Sequence, residues 1–93
     1  MVIIGYNCIV NEVKWNKRAK RQLARIPVKY RIAIADATRT LVSFPECRNV
    51  RLLKNHIYGF RLRVGRYRVF FDHDDEIKII AIQEVKKRDE RTY

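Results

Sequence analysis

The sequence has little cysteine and no apolar run long enough to cross a membrane. Its two cysteines, Cys8 and Cys47, lie in different predicted elements, and neither shares a metal-ligand spacing with His56 or His73. Neither a disulfide framework nor a zinc site is therefore indicated, and a reduced, cytoplasmic setting is predicted. The apolar opening, residues 1–10, has no basic n-region and is too short to span a bilayer. We interpret it as an N-terminal extension or an extra first strand rather than as a signal sequence.

Acidic residues are also scarce. The 93-residue chain has 10 Asp and Glu against 21 Lys and Arg, for a formal net charge of +11. An excess of this size predicts binding to nucleic acid or to another acidic surface. The length predicts one domain, residues 1–93, with a single small core. The composition, 47% hydrophobic and 33% charged, is that of an ordinary globular protein.

Residues 60–71 read Phe-Arg-Leu-Arg-Val-Gly-Arg-Tyr-Arg-Val-Phe-Phe, which is two stretches of alternating polarity around a Gly-Arg pair. Such a pair fits a two-residue loop, so we predict a β-hairpin with Gly65 and Arg66 at its turn. The apolar side chains then share one face, with Val64 opposite Tyr67, Leu62 opposite Val69 and Phe60 opposite Phe71. The arginines share the other face, with Arg63 opposite Arg68 and Arg61 opposite Phe70.

The arginine face of this hairpin needs a counter-charge. Like charges directly opposite each other destabilise an antiparallel pair, so Arg63 against Arg68, with Arg61 one pleat away, favours a polyanionic ligand. The planar guanidinium fork matches a phosphate group through two hydrogen bonds. We therefore predict phosphate binding here. The alternative is a solvated outer sheet face with scattered arginines, which is common on basic proteins.

Two helices are predicted ahead of the hairpin. After a short strand at residues 12–15, Asn16 is a suitable N-cap for a helix that begins at Lys17 and ends before Pro27. Its basic side is most simply a solvated face. A second helix then runs to about Ser43. Its core stripe recurs at helical spacing: Tyr30, Ile34, Ala37, Leu41 and Phe44.

The remaining segments complete an α+β fold. Residues 49–55 are a linker or include a short strand at 50–53, and residues 72–75 form a turn. Residues 77–82 are apolar on both alternations, as in a central strand buried on both faces. The predicted order is β-α-α-β-β-β, a two-helix hairpin packed on one face of a small antiparallel-rich sheet. The opposite face is left free to bind.

The last ten residues, 84–93, carry a basic cluster directly after the central strand. This tail can reach the arginine face, and Tyr93 at its end could stack on a nucleotide base. Basic side chains of the tail and of the hairpin turn are predicted to contact RNA: Lys86, Lys87, Arg66 and Arg91. The alternative for the tail is a frayed, charged terminus.

The hairpin motif Arg-Leu-Arg-Val-Gly-x-Tyr-Arg-Val and the tail motif Val-Lys-Lys-Arg-x-x-x-x-Tyr, in this order of elements, resemble the RelE/ParE superfamily of bacterial toxin-antitoxin toxins. The resemblance covers residues 11–93. The tail is similar to that of the RelE-like branch, whose members cut mRNA in the ribosomal A site. The resemblance implies a microbial-RNase-like fold and a set of catalytic residues: Arg61, Arg63, Arg68, Arg88 and Tyr93. Lys87 competes with Arg88 because alignment of the tail needs a one-residue gap.

The resemblance also implies a reaction. The 2′-OH attacks its adjacent 3′ phosphate without a metal or another cofactor, the arginines stabilise the phosphorane, and Arg88 or Lys87 protonates the leaving 5′ oxygen. Because arginine is a poor base, the proton of the 2′-OH passes to Tyr93, to His56, or to a solvent or RNA group. The implied partners are a cognate antitoxin, the ribosome and mRNA, with operator DNA bound only through the antitoxin complex and no membrane role.

Two other functions fit the same fold or the same charge. A ParE-like toxin poisons DNA gyrase without cutting RNA and would not need Arg88 and Tyr93. A simple RNA- or ribosome-binding module holds phosphates on its arginine face without chemistry. Substitution of Arg68 in such a module would change only affinity and its salt dependence.

Overall fold

The computed structural model describes residues 11–87, which form two helices and five strands. The helices are α1 (Lys17–Ala24) and α2 (Val28–Arg39), and α2 is followed by a short 3₁₀ helix (Thr40–Ser43). The strands are β1 (Glu12–Trp15), β2 (Val50–Leu52), β3 (Phe60–Val64), β4 (Tyr67–Asp74) and β5 (Ile79–Lys87). The predictions for residues 1–10 and 88–93 lie outside the described residues.

The strands form one sheet in the order β1-β5-β4-β3-β2. β1 runs parallel to β5, and the other neighbouring pairs are antiparallel. The predicted α+β class with an antiparallel-rich sheet is confirmed. The sheet has one strand more than the predicted order, because residues 50–52 pair with β3 instead of serving as a linker.

Local sequence signals set the two helices and the joint between them. The Asn16 side-chain oxygen accepts the Ala19 N–H at 2.7 Å and caps α1 as predicted. The Arg31 guanidinium, on α2, donates to the carbonyl of Ala24 at 3.2 Å and to that of Ile26 at 3.0 Å. These carbonyls lie at and just beyond the end of α1, where a helix leaves acceptors unsatisfied. Arg31 therefore links the two helices into a hairpin.

One face of the sheet and the inner sides of the helices share the core. In the predicted stripe of the second helix, Ile34, Leu41 and Phe44 are buried, whereas Tyr30 stays 38% exposed with its ring beside that of Tyr67. The strands contribute the larger part of the core: Leu62, Tyr67, Val69, Phe71, Ile80, Ile82 and Val85. Within residues 11–87, no helix is long and apolar enough to cross a membrane.

The turn predicted at residues 72–75 lies farther along the chain. β4 continues through Asp74, and the chain reverses at residues 75–78. The Asp74 side chain accepts two backbone N–H groups of this turn, at 2.9 and 3.3 Å. The predicted strand start at residue 77 was wrong because this local turn chemistry outweighs the apolar pattern. Ile77 is 62% exposed, and β5 begins at Ile79.

β5 is an inner strand, but only one of its faces is fully buried. Ile80, Ile82 and Val85 lie in the core, whereas Ile79 and Ala81 on the other face stay partly exposed. The prediction of burial on both faces was wrong because both described helices contribute to the core on one side. The second face of the sheet is consequently available for a site.

Candidate functional site

The hairpin has the predicted register. Gly65 and Arg66 connect β3 to β4, with Val64 opposite Tyr67. Gly65 has a φ of 56°, a conformation that glycine adopts without steric penalty and that the favoured two-residue hairpin turns require at their first central residue. Because Tyr67 and the alternate residues after it face the core, the arginines of the hairpin lie on the face of the sheet away from the helices.

Cationic side chains form a row across three strands on this face. Arg63 of β3 lies opposite Arg68 of β4, and Lys86 of β5 lies on the other side of Arg68. Arg61 is one pleat away on β3, in the diagonal position to Arg68. We refer to Arg61, Arg63, Arg68 and Lys86 as the cationic face. Since like charges at this spacing repel, an anion is favoured at its centre, which is Arg68.

A cavity of about 170 Å³ opens to solvent between the hairpin arginines. It is lined by Arg61, Arg63, Gly65, Tyr67 and Arg68. Arg61 and Arg68 are partly buried, whereas Arg63 is exposed. Three guanidinium groups around one hollow have the chemistry of a phosphate site, because each can donate two parallel hydrogen bonds to phosphate oxygens.

The structure separates the two lysines that were predicted to contact RNA. Lys86 lies on the cationic face, but Lys87 pairs with Tyr67 and therefore leaves the sheet on the helix side. Lys86 is thus better placed than Lys87 to reach an anion at Arg68. Arg66 is exposed at the hairpin turn. Three predicted site residues lie outside the described residues: Arg88, Arg91 and Tyr93.

A β-bulge in β5 decides which of its side chains reach this face. Phe70 pairs with Glu84 and Phe71 pairs with Ile82, which leaves Gln83 as an extra residue. Strict alternation after Ile82 would turn Glu84 toward the core. The bulge turns it instead to the side of the cationic face.

Side chains from α1 and β4 hold this bulge. Gln83 Oε1 accepts a hydrogen bond from Asn16 Nδ2 at 2.9 Å, and Gln83 Nε2 donates to Asp72 Oδ2 at 3.1 Å. Beyond the end of β1, Gln22 Oε1 accepts the Val85 N–H at 2.7 Å. A helix side chain thereby takes the place of a neighbouring strand at the edge of β5, and the bulge is held from both sides.

The loop between β2 and β3 covers the part of this face next to the cations. His56 stacks on Phe70, with ring centroids 5.3 Å apart and 12° between the planes, and Tyr58 contacts the same ring at 5.8 Å. Phe70 is therefore only 7% exposed although it points away from the helices. The Gly59 N–H donates to Asp72 Oδ1 at 2.7 Å, and a Cβ atom at Gly59 would lie 3.2 Å from that oxygen.

His56 is poorly placed to accept a proton. Its Nδ1 atom accepts the Tyr58 N–H at 3.1 Å. In the neutral ring the proton therefore sits on Nε2, since one ring nitrogen is a donor when the other is an acceptor. The free nitrogen of His56 thus presents a donor, which counts against it as the base.

Glu84 is an acidic member of the site that the sequence reasoning missed. Its side chain is 14% exposed, with one oxygen 3.9 Å from Arg18 Nη1 and the other 3.8 Å from Lys86 Nζ. Burial, followed by the charge and hydrogen bond of Glu84, raises the pKa of the Tyr58 phenol, and Arg18 opposes the shift. The phenol therefore stays protonated at neutral pH beside the Glu84 carboxylate. No sequence pattern marks Glu84, because only the bulge brings it to this face.

Metal-ligating and nucleophilic side chains do not cluster in the described part of the chain. Within residues 11–87, no group of three or more His, Cys, Asp or Glu side chains is placed to hold a metal ion. Cys47 is partly buried, and burial followed by the charge of Glu46 raises the pKa of its thiol. A raised pKa lowers the thiolate fraction and with it the reactivity of the sulfur.

Comparison with protein families identifies one match along most of the chain. Residues 13–92 match the family described as the ParE toxin of type II toxin-antitoxin system, parDE. No curated protein matches the chain.

Solved toxin structures share the fold. A chain of the RelBE2 toxin-antitoxin complex from Mycobacterium tuberculosis is 28% identical, with a TM-score of 0.75 over 86% of this chain and 100% of that one. A chain of the RelE-RelB complex from Pyrococcus horikoshii is 25% identical, with the same TM-score of 0.75 over 89% and 99%. The isolated Escherichia coli RelE toxin, 14% identical with a TM-score of 0.72 over 85% of each chain, shares the fold alone. The chain therefore belongs to the ParE toxin family of type II toxin-antitoxin systems, within the RelE/ParE superfamily.

Proposed function

We propose that this toxin is a metal-independent endoribonuclease that cleaves mRNA in the ribosomal A site and thereby stops translation. The observation that carries the proposal is the cationic face, where side chains from three strands surround Arg68. Guanidinium groups of this arrangement suit phosphate oxygens. The cavity between them, about 170 Å³, has room for a phosphate group, since a water molecule takes about 30 Å³ of liquid volume.

The arginines suit the electrostatic part of the reaction. As the 2′ oxygen attacks the adjacent phosphorus, negative charge builds on the non-bridging oxygens of the phosphorane. Arg61 and Arg68 are partly buried on rigid strands, so they can donate preorganised, charge-assisted hydrogen bonds. One such donor contributes about 3 to 4 kcal/mol to transition-state stabilisation in oxyanion sites. Arg88 and Tyr93 keep their proposed roles as proton donor to the 5′ oxygen and as base-stacking residue.

The proposed partners follow from the charge and from the relatives. The similar solved structures include RelE-RelB and RelBE toxin-antitoxin complexes, and we propose a cognate antitoxin for this chain as well. An acidic antitoxin segment suits a formal charge of +11. Its binding should weaken with rising salt, because exposed charge pairs are screened. The ribosome and mRNA are the other proposed partners, with operator DNA reached only through the antitoxin complex.

A toxin that poisons DNA gyrase without cutting RNA is the second candidate, and the family match favours it. The two candidates make different demands on Arg68. An RNase needs this guanidinium at the scissile phosphate, whereas a gyrase poison needs the fold and whichever surface contacts gyrase.

Primer-extension mapping of 5′ ends on an mRNA translated in a purified system separates the candidates. The wild type is compared with Arg68→Ala and with Arg39→Ala, a matched control for an arginine that is 79% exposed on α2. Ribosome-dependent cuts inside codons that persist in the control and are lost in Arg68→Ala would support the RNase. An intact message, together with trapped gyrase-DNA cleavage complexes on plasmid DNA, would support the gyrase poison instead.

A further inference from the structure

We propose that Glu84 is a catalytic residue that accepts the proton of the attacking 2′-OH. The inference rests on the proposed RNase function and names a group that the reaction requires. Arginine stays protonated in proteins, so the cationic face can stabilise charge but cannot take this proton. A carboxylate at the border of the cationic face can accept this proton.

Strand pairing places Glu84 beside the centre of the cationic face. Lys86 lies directly opposite Arg68, and Glu84 is two residues before Lys86 on the same face of β5. Diagonal neighbours in an antiparallel pair are about 7–8 Å apart at the backbone, within reach of long side chains. A phosphate held by Arg68 would therefore have the Glu84 carboxylate on its β5 side and the Arg61 guanidinium on its β3 side.

The carboxylate of Glu84 keeps capacity to accept a proton. Its distances of 3.9 Å to Arg18 and 3.8 Å to Lys86 are ion-pair distances rather than hydrogen bonds. An ionised carboxylate has about four acceptor positions, and the neighbouring Tyr58 phenol can occupy one of them. The other carboxylate near the bulge, Asp72, uses one oxygen for the Gly59 N–H at 2.7 Å and the other for Gln83 at 3.1 Å.

A negative charge at this position is unfavourable for simple RNA binding. A surface that only holds phosphates would bind them more tightly with a neutral or cationic side chain at residue 84, because a carboxylate repels the ligand. The bulge nevertheless turns Glu84 to this side, and hydrogen bonds of 2.9, 3.1 and 2.7 Å through Gln83 and the Val85 N–H hold the bulge there. A role in proton transfer would explain why a carboxylate is kept at residue 84 although it lowers the affinity for RNA.

The step balances without a co-reactant other than water. Glu84 takes the proton of the 2′-OH as the 2′ oxygen forms a bond to phosphorus. The bond from phosphorus to the 5′ oxygen breaks, and that oxygen takes a proton from a cationic side chain or from water. The products are a 2′,3′-cyclic phosphate and a 5′-OH, and Glu84 returns its proton to solvent.

The test compares single-turnover cleavage in the purified translation system by the wild type, Glu84→Gln and Arg18→Ala. Loss of a general base lowers the rate by about 10²- to 10⁴-fold, and we expect this for Glu84→Gln. Affinity for an RNA carrying a 2′-deoxy nucleotide at the cleavage site should be unchanged or higher, because a negative charge has been removed. Arg18→Ala, which breaks the 3.9 Å ion pair but keeps the carboxylate, should stay within a few-fold of the wild-type rate.

The pH profile gives a readout that a structural role would not move. The wild-type rate should fall at acid pH, and the Glu84→Gln rate should lack that acid limb. The groups that face Glu84 are Arg18 from α1, Tyr58 from the loop, Arg68 from β4 and Lys86 from β5. The pKa of the Tyr58 phenol is raised, so this group adds no limb to the acid side of the profile.

Each outcome decides the proposal. Wild-type cleavage with an unchanged rate and pH profile in Glu84→Gln overturns the role of Glu84 and leaves the RNase function standing. Loss of rate in Arg18→Ala equal to that in Glu84→Gln overturns it in favour of an ion pair that positions the loop. If Glu84→Gln unfolds, Glu84→Asp is measured in its place. The proposal is overturned if this variant cleaves at the wild-type rate and its pH–rate profile has no acid limb. If the wild type cleaves no message, both the RNase function and the role of Glu84 as its general base are overturned.

Discussion

Arg68 is the residue at which the chemistry of this site converges. It lies opposite Arg63 on one side and Lys86 on the other, with Arg61 and Glu84 at the two diagonal positions. Arg61, Arg63 and Lys86 are cations within side-chain reach of Arg68, so an anion bound at Arg68 relieves their mutual repulsion. The cations that repel one another in the unliganded sheet are therefore the same groups that bind the anion.

Removal of the Arg68 guanidinium should abolish most of the cleavage without loosening the fold. We expect Arg68→Ala to lower the single-turnover rate by about 10²- to 10³-fold, the effect of removing one preorganised donor to a developing oxyanion. The side chain lies on the outer face of the sheet, so the melting temperature should stay close to that of the wild type. A rate within a few-fold of the wild type in a folded variant would remove Arg68 from the centre of the site.

Asn11 is a residue whose role is structural. It is 1% exposed, and its amide donates to the carbonyl of Phe44 at 3.0 Å and approaches two more carbonyls of the chain after α2, at 3.3 and 3.4 Å. Its oxygen lies 3.0 Å from His73 Nε2. Asn11 thereby ties the start of β1 to the end of the helical hairpin and to β4.

Truncation of Asn11 should destabilise the protein. Leaving buried polar partners unsatisfied costs about 1–3 kcal/mol, and we expect Asn11→Ala to lower the free energy of unfolding by that amount. Urea denaturation with Glu12→Ala, the exposed neighbour, as the control measures the difference. Equal midpoints for the two variants would contradict the role assigned to Asn11.

The elements of the free face differ in how they are held in place. The hairpin of β3 and β4 is held by its own two-residue turn and needs no distant contact for its register. The loop before β3 and the bulge in β5 hold each other, because Asp72 accepts from Gly59 with one oxygen and from Gln83 with the other. The aromatic cover over Phe70 and the position of Glu84 are thus parts of one arrangement.

The hairpin turn depends on the backbone of Gly65 alone. A Cβ atom there would meet nothing within 4 Å, but φ is 56°, and a left-handed backbone costs an alanine about 1–2 kcal/mol. Gly65→Ala should lower the free energy of unfolding by that amount in urea, and Gly65→Asn by less, because asparagine tolerates this conformation better. An equal loss in both variants would show that packing rather than backbone strain sets the cost.

At the scale of the whole molecule, charge and fold act on different properties. The formal charge of +11 attracts any polyanion and is sensitive to salt, whereas the strand pairings select where on the surface the anion sits. The helices occupy one face of the sheet, so the cations of β3, β4 and β5 meet on the other. Non-specific attraction and a defined phosphate site are therefore separable by experiment.

The salt dependence of RNA affinity should report how many phosphates the cationic face contacts. For single strands the slope of log K against log salt is about −0.7 per phosphate neutralised. If Arg61, Arg63, Arg68 and Lys86 each neutralise a different phosphate of a non-cleavable oligonucleotide, the slope in an anisotropy titration is about −3, and if they share one phosphate it is about −1. Arg68→Ala should reduce the slope by about one contact, and Arg39→Ala should leave it unchanged. An equal reduction in both variants would point to diffuse attraction without a defined site.

Local patterns in the sequence were sufficient for the parts of this protein that neighbours along the chain determine. The Asn16 cap, the two-residue turn at Gly65 and the facing of Arg63 and Arg68 depend on residues a few positions apart. The end of β4 was misplaced because an apolar alternation competed with the turn chemistry of Asp74. The superfamily was also visible in the sequence, because its hairpin and tail motifs are contiguous.

Only the tertiary structure decided the composition of the site. Glu84 reaches the cationic face because the extra residue Gln83 inverts the alternation of β5, and that bulge is held by Asn16 and Asp72, far away in the sequence. Lys86 rather than Lys87 joins the arginines for the same reason. The sequence by itself determined the cap of α1, the β3–β4 hairpin with its turn and the cationic side of that hairpin, since these depend on short-range geometry. Which side chains of β5 join those of the hairpin depends on long-range hydrogen bonds that no local pattern encodes.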